Sequence, residues 1–297
     1  MSATTVQLTP ERQREAALAR RKKRRNDFLQ MIGNHSVLIG LSVIFLLPLY
    51  LVTVISLMNH GQAETRSLWP HPFVWHNYIA VFTAVPFLKW TLNTLFVATL
   101  STIGTVVSSV PPAYVLSRLQ WKGRGVTFII ILSTMMLPGQ VTMIPVYIIF
   151  SRLHWIPSFL PLIVPSFFAS AFSIFLLRQF FVSIPDEISD AARIDGCSEF
   201  KLMMRIVVPL AKPAIMAIAL FSFLGAWNDF FGPLLYIVEN EKLWTLGIGL
   251  NAFQGIHHVE SNMMMTASVL FMAPVILLFF FSQKVFIEGV TLTGVKG

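Results

Sequence analysis

The sequence predicts an all-α, polytopic membrane protein with six transmembrane helices and a polar cytoplasmic loop, and three observations carry that expectation. The chain is 55% hydrophobic and only 12% charged, where a soluble domain carries about a quarter charged residues. Six apolar segments reach the about 20 residues that a helix needs to cross a hydrocarbon core about 30 Å thick. Five of the fourteen acidic residues, Asp186, Glu187, Asp190, Asp195 and Glu199, crowd into Ser183 to Pro213, a polar island that must lie outside the lipid.

The first span, Val37 to Met58, holds no charge. Trp90 to Leu116, Val126 to Phe150, Ser158 to Phe181, Ala214 to Tyr236 and Met264 to Phe286 follow, each bounded by charged or turn-forming residues. All are too long for barrel strands, which alternate and need only about 9 to 11 residues. One six-helix transmembrane domain over 37–286 is expected, with a basic segment 1–36 before it and a tail 287–297 after it. The opening segment does not read as a cleavable signal, because its apolar run starts late, is long and has no A-x-A site after it.

Lysine and arginine set the orientation, since positive flanks stay on the cytoplasmic side. With the N-terminus inside, the cytoplasmic segments hold eighteen of the twenty-two: eight from Arg12 to Arg25, then Arg118, Lys122 and Arg124, then Arg178, Arg193, Lys201, Arg205 and Lys212, then Lys284 and Lys296. Only Arg66, Lys89, Arg152 and Lys242 fall outside. Both termini and the polar island are then cytoplasmic. "RRKKRR", Arg20 to Arg25, matches a nucleic-acid patch. Beside a transmembrane helix it reads instead as a topology signal attracted to anionic lipid heads, and no nucleic-acid partner is expected.

Several chemistries find no support. Cys197 is the single cysteine, so no intramolecular disulfide forms. His257 and His258 are adjacent rather than spaced for one helical face, and no metal cluster is expected. No phosphate loop, H-E-x-x-H or G-x-S-x-G is present. Ser198 to Lys201 matches S-x-x-K, two fixed positions that recur by chance. No cofactor or catalytic residue is expected on this chain.

The island itself reads as two short helices around a turn. Pro185 and Asp186 start the first, with acidic residues at the positive end of its dipole. Gly196 ends it by taking the left-handed conformation, and Ser198 can cap the second. On the second, Phe200, Met203, Met204 and Val207 fall at i, i+3, i+4 and i+7, one apolar stripe. Such a stripe is covered either by the protein's own helix ends or lipid interface, or by a partner, for which methionines suit an adaptable surface.

"DAARIDGCSEFKLMMRIVVP" resembles the cytoplasmic EAA signature of the inner-membrane permeases of binding-protein-dependent ABC importers. Asp190, Ala191, Ala192, Gly196, Ile206 and Pro209 fall at matching places, with Asp190 where the family usually has Glu and Val208 where it often has Leu. "LWPHPFVWHNYIAVF", "MLPGQVTMIPVYIIF", "WNDFFGPLLYI" and the ending "GVTLTGVKG" are similar to the carbohydrate, maltose-permease-like subfamily. The resemblance implies an inner-membrane subunit of an ATP-driven importer of a sugar or sugar-like solute. It implies that the island is a coupling element docking on a cytoplasmic ATPase dimer, which binds ATP and Mg. It also implies a second permease subunit, usually non-identical in such carbohydrate importers, and an external solute-binding protein.

Residues implied for ATPase coupling are Asp190, Ala191, Ala192, Gly196, Phe200, Met203, Met204, Ile206 and Pro209. The resemblance also suggests that Thr293, Gly294, Val295, Lys296 and Gly297 reach between the ATPase subunits, against the default of a frayed end. Within the membrane, Pro111-Pro112, Pro138-Gly139-Gln140 and Asn228-Asp229 are expected to interrupt three spans, as is tolerated beside protein or a wet cavity. Gln140, Trp227, Asn228 and Asp229 are therefore candidates for the translocation path. Asp229 is the only acidic residue within a span; it is either functional, or near the outer end and already in water or paired with a backbone donor.

Ser101, Gly104, Thr105, Ser108 and Ser109 repeat small residues along the second span, permitting close helix approach within the chain or across a permease pair. The outer loops, His60 to Lys89 and about Ile237 to Met263, are long enough to meet a binding protein, with Trp69, Trp75 and Tyr78 as interfacial anchors. The competing class is a self-sufficient ion-coupled transporter, which would show inverted repeats and several paired intramembrane charges. A membrane-embedded enzyme would need a nucleophile or metal set.

Overall fold

In the computed structural model, residues 10–65, 67–256 and 261–294 are described, and they contain helices and turns with no strand. Four helices are long and apolar enough to cross a membrane, and two bent pairs bring the number to six. The first helix runs Pro10–Ser56 without a break at residue 37, and its apolar part is almost entirely exposed, as a lipid-facing helix is. The last, Ser261–Gly294, packs along it and passes residue 286 as one helix.

The second span, Phe87–Arg118, is the centre of the molecule, flanked by the fourth span and by the fifth, Lys212–Trp227. Pro111 and Pro112 lie inside it, so the expected interruption there does not occur. Each proline removes one ladder bond. Their neighbours Val110, Ala113 and Tyr114 are buried in the core, and packing on both flanks keeps the helix whole.

The third span does break where expected. Arg124–Thr134 and Gly139–Arg152 meet at 90°, with Pro138 extended between them. A proline disfavours helix in the residue before it and cannot donate back into the preceding turn. The fifth span ends at Trp227, and a separate short helix, Phe231–Tyr236, follows after the Asn228-Asp229 break.

The fourth span breaks at a place the sequence reading left continuous. Leu160–Ile163 passes into a 3₁₀ turn, Val164–Phe168, before the chain turns at Ala169 and resumes as Ala171–Ser183. Small residues of the second span absorb that break. Ser101 donates to the Leu162 carbonyl at 3.1 Å, Ser108 donates to Ser166 O at 3.1 Å and accepts from Ala169 N at 3.0 Å, and Ser109 accepts from Ser170 N at 3.4 Å. A Cβ on Gly104 would meet the Phe167 ring at 2.7 Å. The small-residue stripe thus satisfies the unwound backbone of this same chain, with Ser222 donating to Thr105 at 3.1 Å from the fifth span.

Two apolar cores result, one at each end. The one far from the polar island gathers Val81, Phe87, Trp90, Trp227, Ile237, Trp244 and Leu246; the other gathers Tyr114, Leu177, Phe181, Leu202, Met203, Val207 and Ile218 beneath the island.

Candidate functional site

The island folds as two helices around a tight turn. Asp186–Ile194 starts directly after Pro185, which stands at the cap position. Gly196 has φ +75°, and a Cβ there would meet nothing, so the backbone conformation alone selects glycine. Ser198 stands at the next cap position but its side chain makes no capping bond, which corrects the expected cap. Glu199 follows it in the first turn.

The second helix is not regular. Glu199–Leu202 widens into a π turn, Met203–Val207, closed by Val208 N–H to Met203 O, then continues as Val208–Leu210 and bends by 79° into the fifth span. Pro209 accounts for this. It has no N–H for the Arg205 carbonyl and its ring crowds that group, so the ladder shifts by one residue.

The shift splits the stripe. Met203 and Val207 point into the core with Leu202, Ile206 packs against it, while Phe200 is 70% and Met204 47% exposed. Ile194, which the periodicity did not single out, is 87% exposed beside the turn. The apolar residues most exposed on the island are Ile194, Phe200 and Met204, with Leu210 and Ile188 less so. Ala192 is buried against the core and Ala191 faces out, with Pro209 exposed at the far end.

Asp190 is not a free carboxylate. It accepts from Arg193 at 2.9 Å; Arg193 also donates to Glu199 at 2.8 Å, and Glu199 accepts from the Tyr114 hydroxyl of the second span at 2.5 Å. The Arg193 guanidinium, and after it the Tyr114 hydroxyl, hold the Glu199 carboxyl below the usual carboxylate range. Bonding to Glu199 in turn holds Arg193 more firmly protonated.

One turn further along the second span, Arg118 has a side chain 2% exposed. It donates to Asp186 at 2.5 Å and to the carbonyls of Phe181 at 2.6 Å and Ile184 at 2.5 Å, where the fourth span ends. Counted in the sequence as a solvated flanking charge, Arg118 is instead a buried tie. A recess lies between these ties, lined by Ser117, Arg118, Gln120, Arg124, Asp186, Asp190 and Arg193. Sequence reasoning missed Tyr114 and Arg118 because a tyrosine and an arginine at i, i+4 near a helix end look like interface anchors.

The candidate path residues lie elsewhere: Trp227, Asn228 and Asp229 follow one another at the fifth-span break, and Gln140 stands at the third-span break. Trp227 is buried, stacked on Phe223 and Phe271, with its indole N–H on Phe271 O at 3.3 Å. Asn228 is exposed and donates to Leu224 O at 2.8 Å; Gln140 is exposed at the third-span break. Asp229 accepts from the Gly232 N–H at 3.1 Å, and a Cβ on Gly232 would clash with its carboxylate. Of the two readings of Asp229, the backbone-paired one describes its geometry. Thr293 and Gly294 end the last helix, whereas Val295, Lys296 and Gly297, like His257 and His258, lie outside the described residues.

Residues 101–291 match the model of the binding-protein-dependent transport system inner membrane component. The chain belongs to this family. The match runs from within the second span into the last helix and includes the whole island. The permease is 33% identical over 262 residues to the arabinooligosaccharides transport system permease protein AraQ of Bacillus subtilis (strain 168), covering 86% of this chain and 92% of that one. It is 31% identical to the sn-glycerol-3-phosphate transport system permease protein UgpE of Pectobacterium atrosepticum, covering 87% and 95%. Its fold matches a chain of a bacterial ABC transporter involved in the import of the acidic polysaccharide alginate, with TM-score 0.75, 25% identity and coverage of 88% and 97%. A second alginate transporter structure, in complex with a pentasaccharide-bound periplasmic protein, matches at TM-score 0.63 and 16% identity. The protein is thus an inner-membrane, multi-pass permease of an ABC importer.

Proposed function

We propose that this permease imports an oligosaccharide or a phosphorylated polyol handed over by an external binding protein, driven by a separate ATPase that docks on 183–213. The single observation that carries the docking is the exposed triad of Ile194, Phe200 and Met204, set around a glycine with φ +75° on a turn otherwise tied into the core. Apolar side chains so placed favour a protein cover. Asp190, Ala191 and Gly196 border that patch, while Ala192, Met203, Ile206 and Pro209 fix its shape from behind. ATP and Mg belong to the ATPase dimer, and a second permease completes the path. Both termini face the cytoplasm, on the distribution of Lys and Arg.

Gln140 and Asn228, with Asp229 and Trp227 behind, are the groups we assign to the path, since each stands at a broken span with polar atoms unburied or backbone-held. The solute class rests on the arabinooligosaccharide and glycerol-phosphate permeases to which the chain is similar. Thr293 to Gly297 are assigned to the ATPase interface, and uptake unchanged after their deletion would remove that part.

The test is ATP hydrolysis in proteoliposomes holding this chain, its ATPase, a second permease and a binding protein. The panel comprises arabinooligosaccharides, glycerol 3-phosphate and alginate oligosaccharides. Stimulation by one of them that is lost in Gly196→Val is the expected result. Uptake by this chain alone on an ion gradient, indifferent to ATP, would overturn the reading in favour of a secondary transporter.

A further inference from the structure

Tyr114 and Arg118 lie four residues apart on the second span, hence on one face of it, and each reaches a different helix of the island. Tyr114 takes hold of Glu199 in the second island helix, and through Arg193 of Asp190 in the first. Arg118 takes hold of Asp186 at the start of the first island helix and of the two carbonyls that end the fourth span. Among the described residues every ion pair other than His60 with Glu64 belongs to this set. Apolar contact alone would let the island slide on the core. Directional bonds at two points, one on either side of the Gly196 turn, remove that freedom.

We propose that Tyr114 and Arg118 form a two-point clamp that makes the cytoplasmic end of the second span and the island move as one rigid body. The second span in turn carries Ser101, Ser108 and Ser109, which hold the broken middle of the fourth span. Displacement of the island therefore reaches the membrane interior through the second span, rather than only through the chain connections to the fourth and fifth. Tyr114 and Arg118 are positioning residues: both are buried, and neither offers a surface to a partner. The clamp rests on the docking proposal above for its role, though not for its geometry.

The assembled importer in proteoliposomes supplies the test. With Cys197 replaced by serine, spin labels are placed at Val115 and Glu187, both exposed and outside the clamp. Their separation is measured without nucleotide and after trapping with Mg-ATP and vanadate. A third label at Met136, exposed beside the third-span break, reports movement of the island against the rest.

The clamp predicts one narrow Val115 to Glu187 distance, the same in both states, while the Glu187 to Met136 distance changes. Tyr114→Phe, which keeps the buried ring and removes only the hydroxyl, broadens the first distance or makes it state-dependent, and raises the ATP hydrolysed per solute imported. Arg118→Gln does so more strongly; Tyr114→Phe carries the test should that variant fold poorly. Tyr114→Phe and Glu199→Gln together should do no more than either alone. A Val115 to Glu187 distance that shifts on trapping in the parent overturns the clamp alone. An unchanged narrow distance in Tyr114→Phe and Arg118→Gln does the same. No nucleotide-dependent change in either distance overturns the clamp and the docking reading together.

Discussion

The two ends of the molecule are held by different chemistry. At the end away from the island the ties are neutral: Asn77 donates to the Ser56 and Met58 carbonyls at 2.9 and 2.8 Å, Asn262 and Thr266 reach the same two groups, and Asn93 donates to Lys242 O and Trp244 O. Side-chain amides there close the end of the first helix and fasten the loop at Lys242 and Trp244 over an aromatic core. At the island end the ties are ionic or charge-assisted, running through Arg118, Asp186, Arg193, Asp190 and Glu199 over a core that is mostly aliphatic, with Tyr114 and Phe181 in it. Neutral bonds to backbone fix loops in one arrangement. Charged ones are directional and strong, yet they answer to pH and to a partner's charges. The end away from the island is built as a frame and the island end as a joint.

That comparison is most easily broken at the turn. Gly196→Val forces a β-branched residue to φ +75°, costing about 1 to 2 kcal/mol at that residue. It should leave the protein in the membrane while reducing solute-stimulated ATP hydrolysis at least tenfold. Asp190→Lys, which puts a like charge beside Arg193, should act in the same sense. Normal uptake by both variants would end the distinction between frame and joint.

Arg118→Met removes the partner of two carbonyls, at about 1 to 3 kcal/mol for each buried group left unpaired. Thermal unfolding in detergent should shift down by several degrees. Asn93→Ala, by contrast, loses two neutral bonds at about 0.5 to 1.5 kcal/mol each. Hydrogen exchange of the Glu241–Leu243 turn should quicken while ATP hydrolysis stays coupled. Equal uncoupling by the two substitutions would mean that the ends do not differ in role.

The smallest expected effect is on acid stability. Glu199 is ionised more readily in the fold than in the unfolded chain, so its contribution is complete above the ordinary value of 4.5 and fades as pH falls through the lower folded value. Glu199→Gln should flatten that acid limb and lower stability at neutral pH, where the contribution of the carboxylate is complete. An identical acid limb in both proteins would remove the Arg193 to Glu199 bond as a source of stability.

Much of this was legible beforehand. Spans follow from length and apolarity, because a bilayer admits few other solutions, and the Pro138 break follows from a missing N–H. The Gly196 turn was legible for the same local reason, a conformation that glycine reaches without strain. The fourth-span break at Val164–Phe168 was not, since it survives only where Ser101, Ser108 and Ser109 of another helix receive its freed groups. Nor was the split of the stripe, because periodicity at 3.6 residues per turn assumes the regular helix that Pro209 prevents.

The sequence by itself determined the solvent, the number of crossings and the position of the island, all set by local composition and by single residues. Only the tertiary structure decided which side of the island faces out, leaving Ile194, Phe200 and Met204 free, and what ties it down from within. Tyr114 and Glu199 stand 85 residues apart and Arg118 and Ile184 stand 66 apart. A bond between such positions depends on how three helices pack, and no local pattern in the chain encodes that distance.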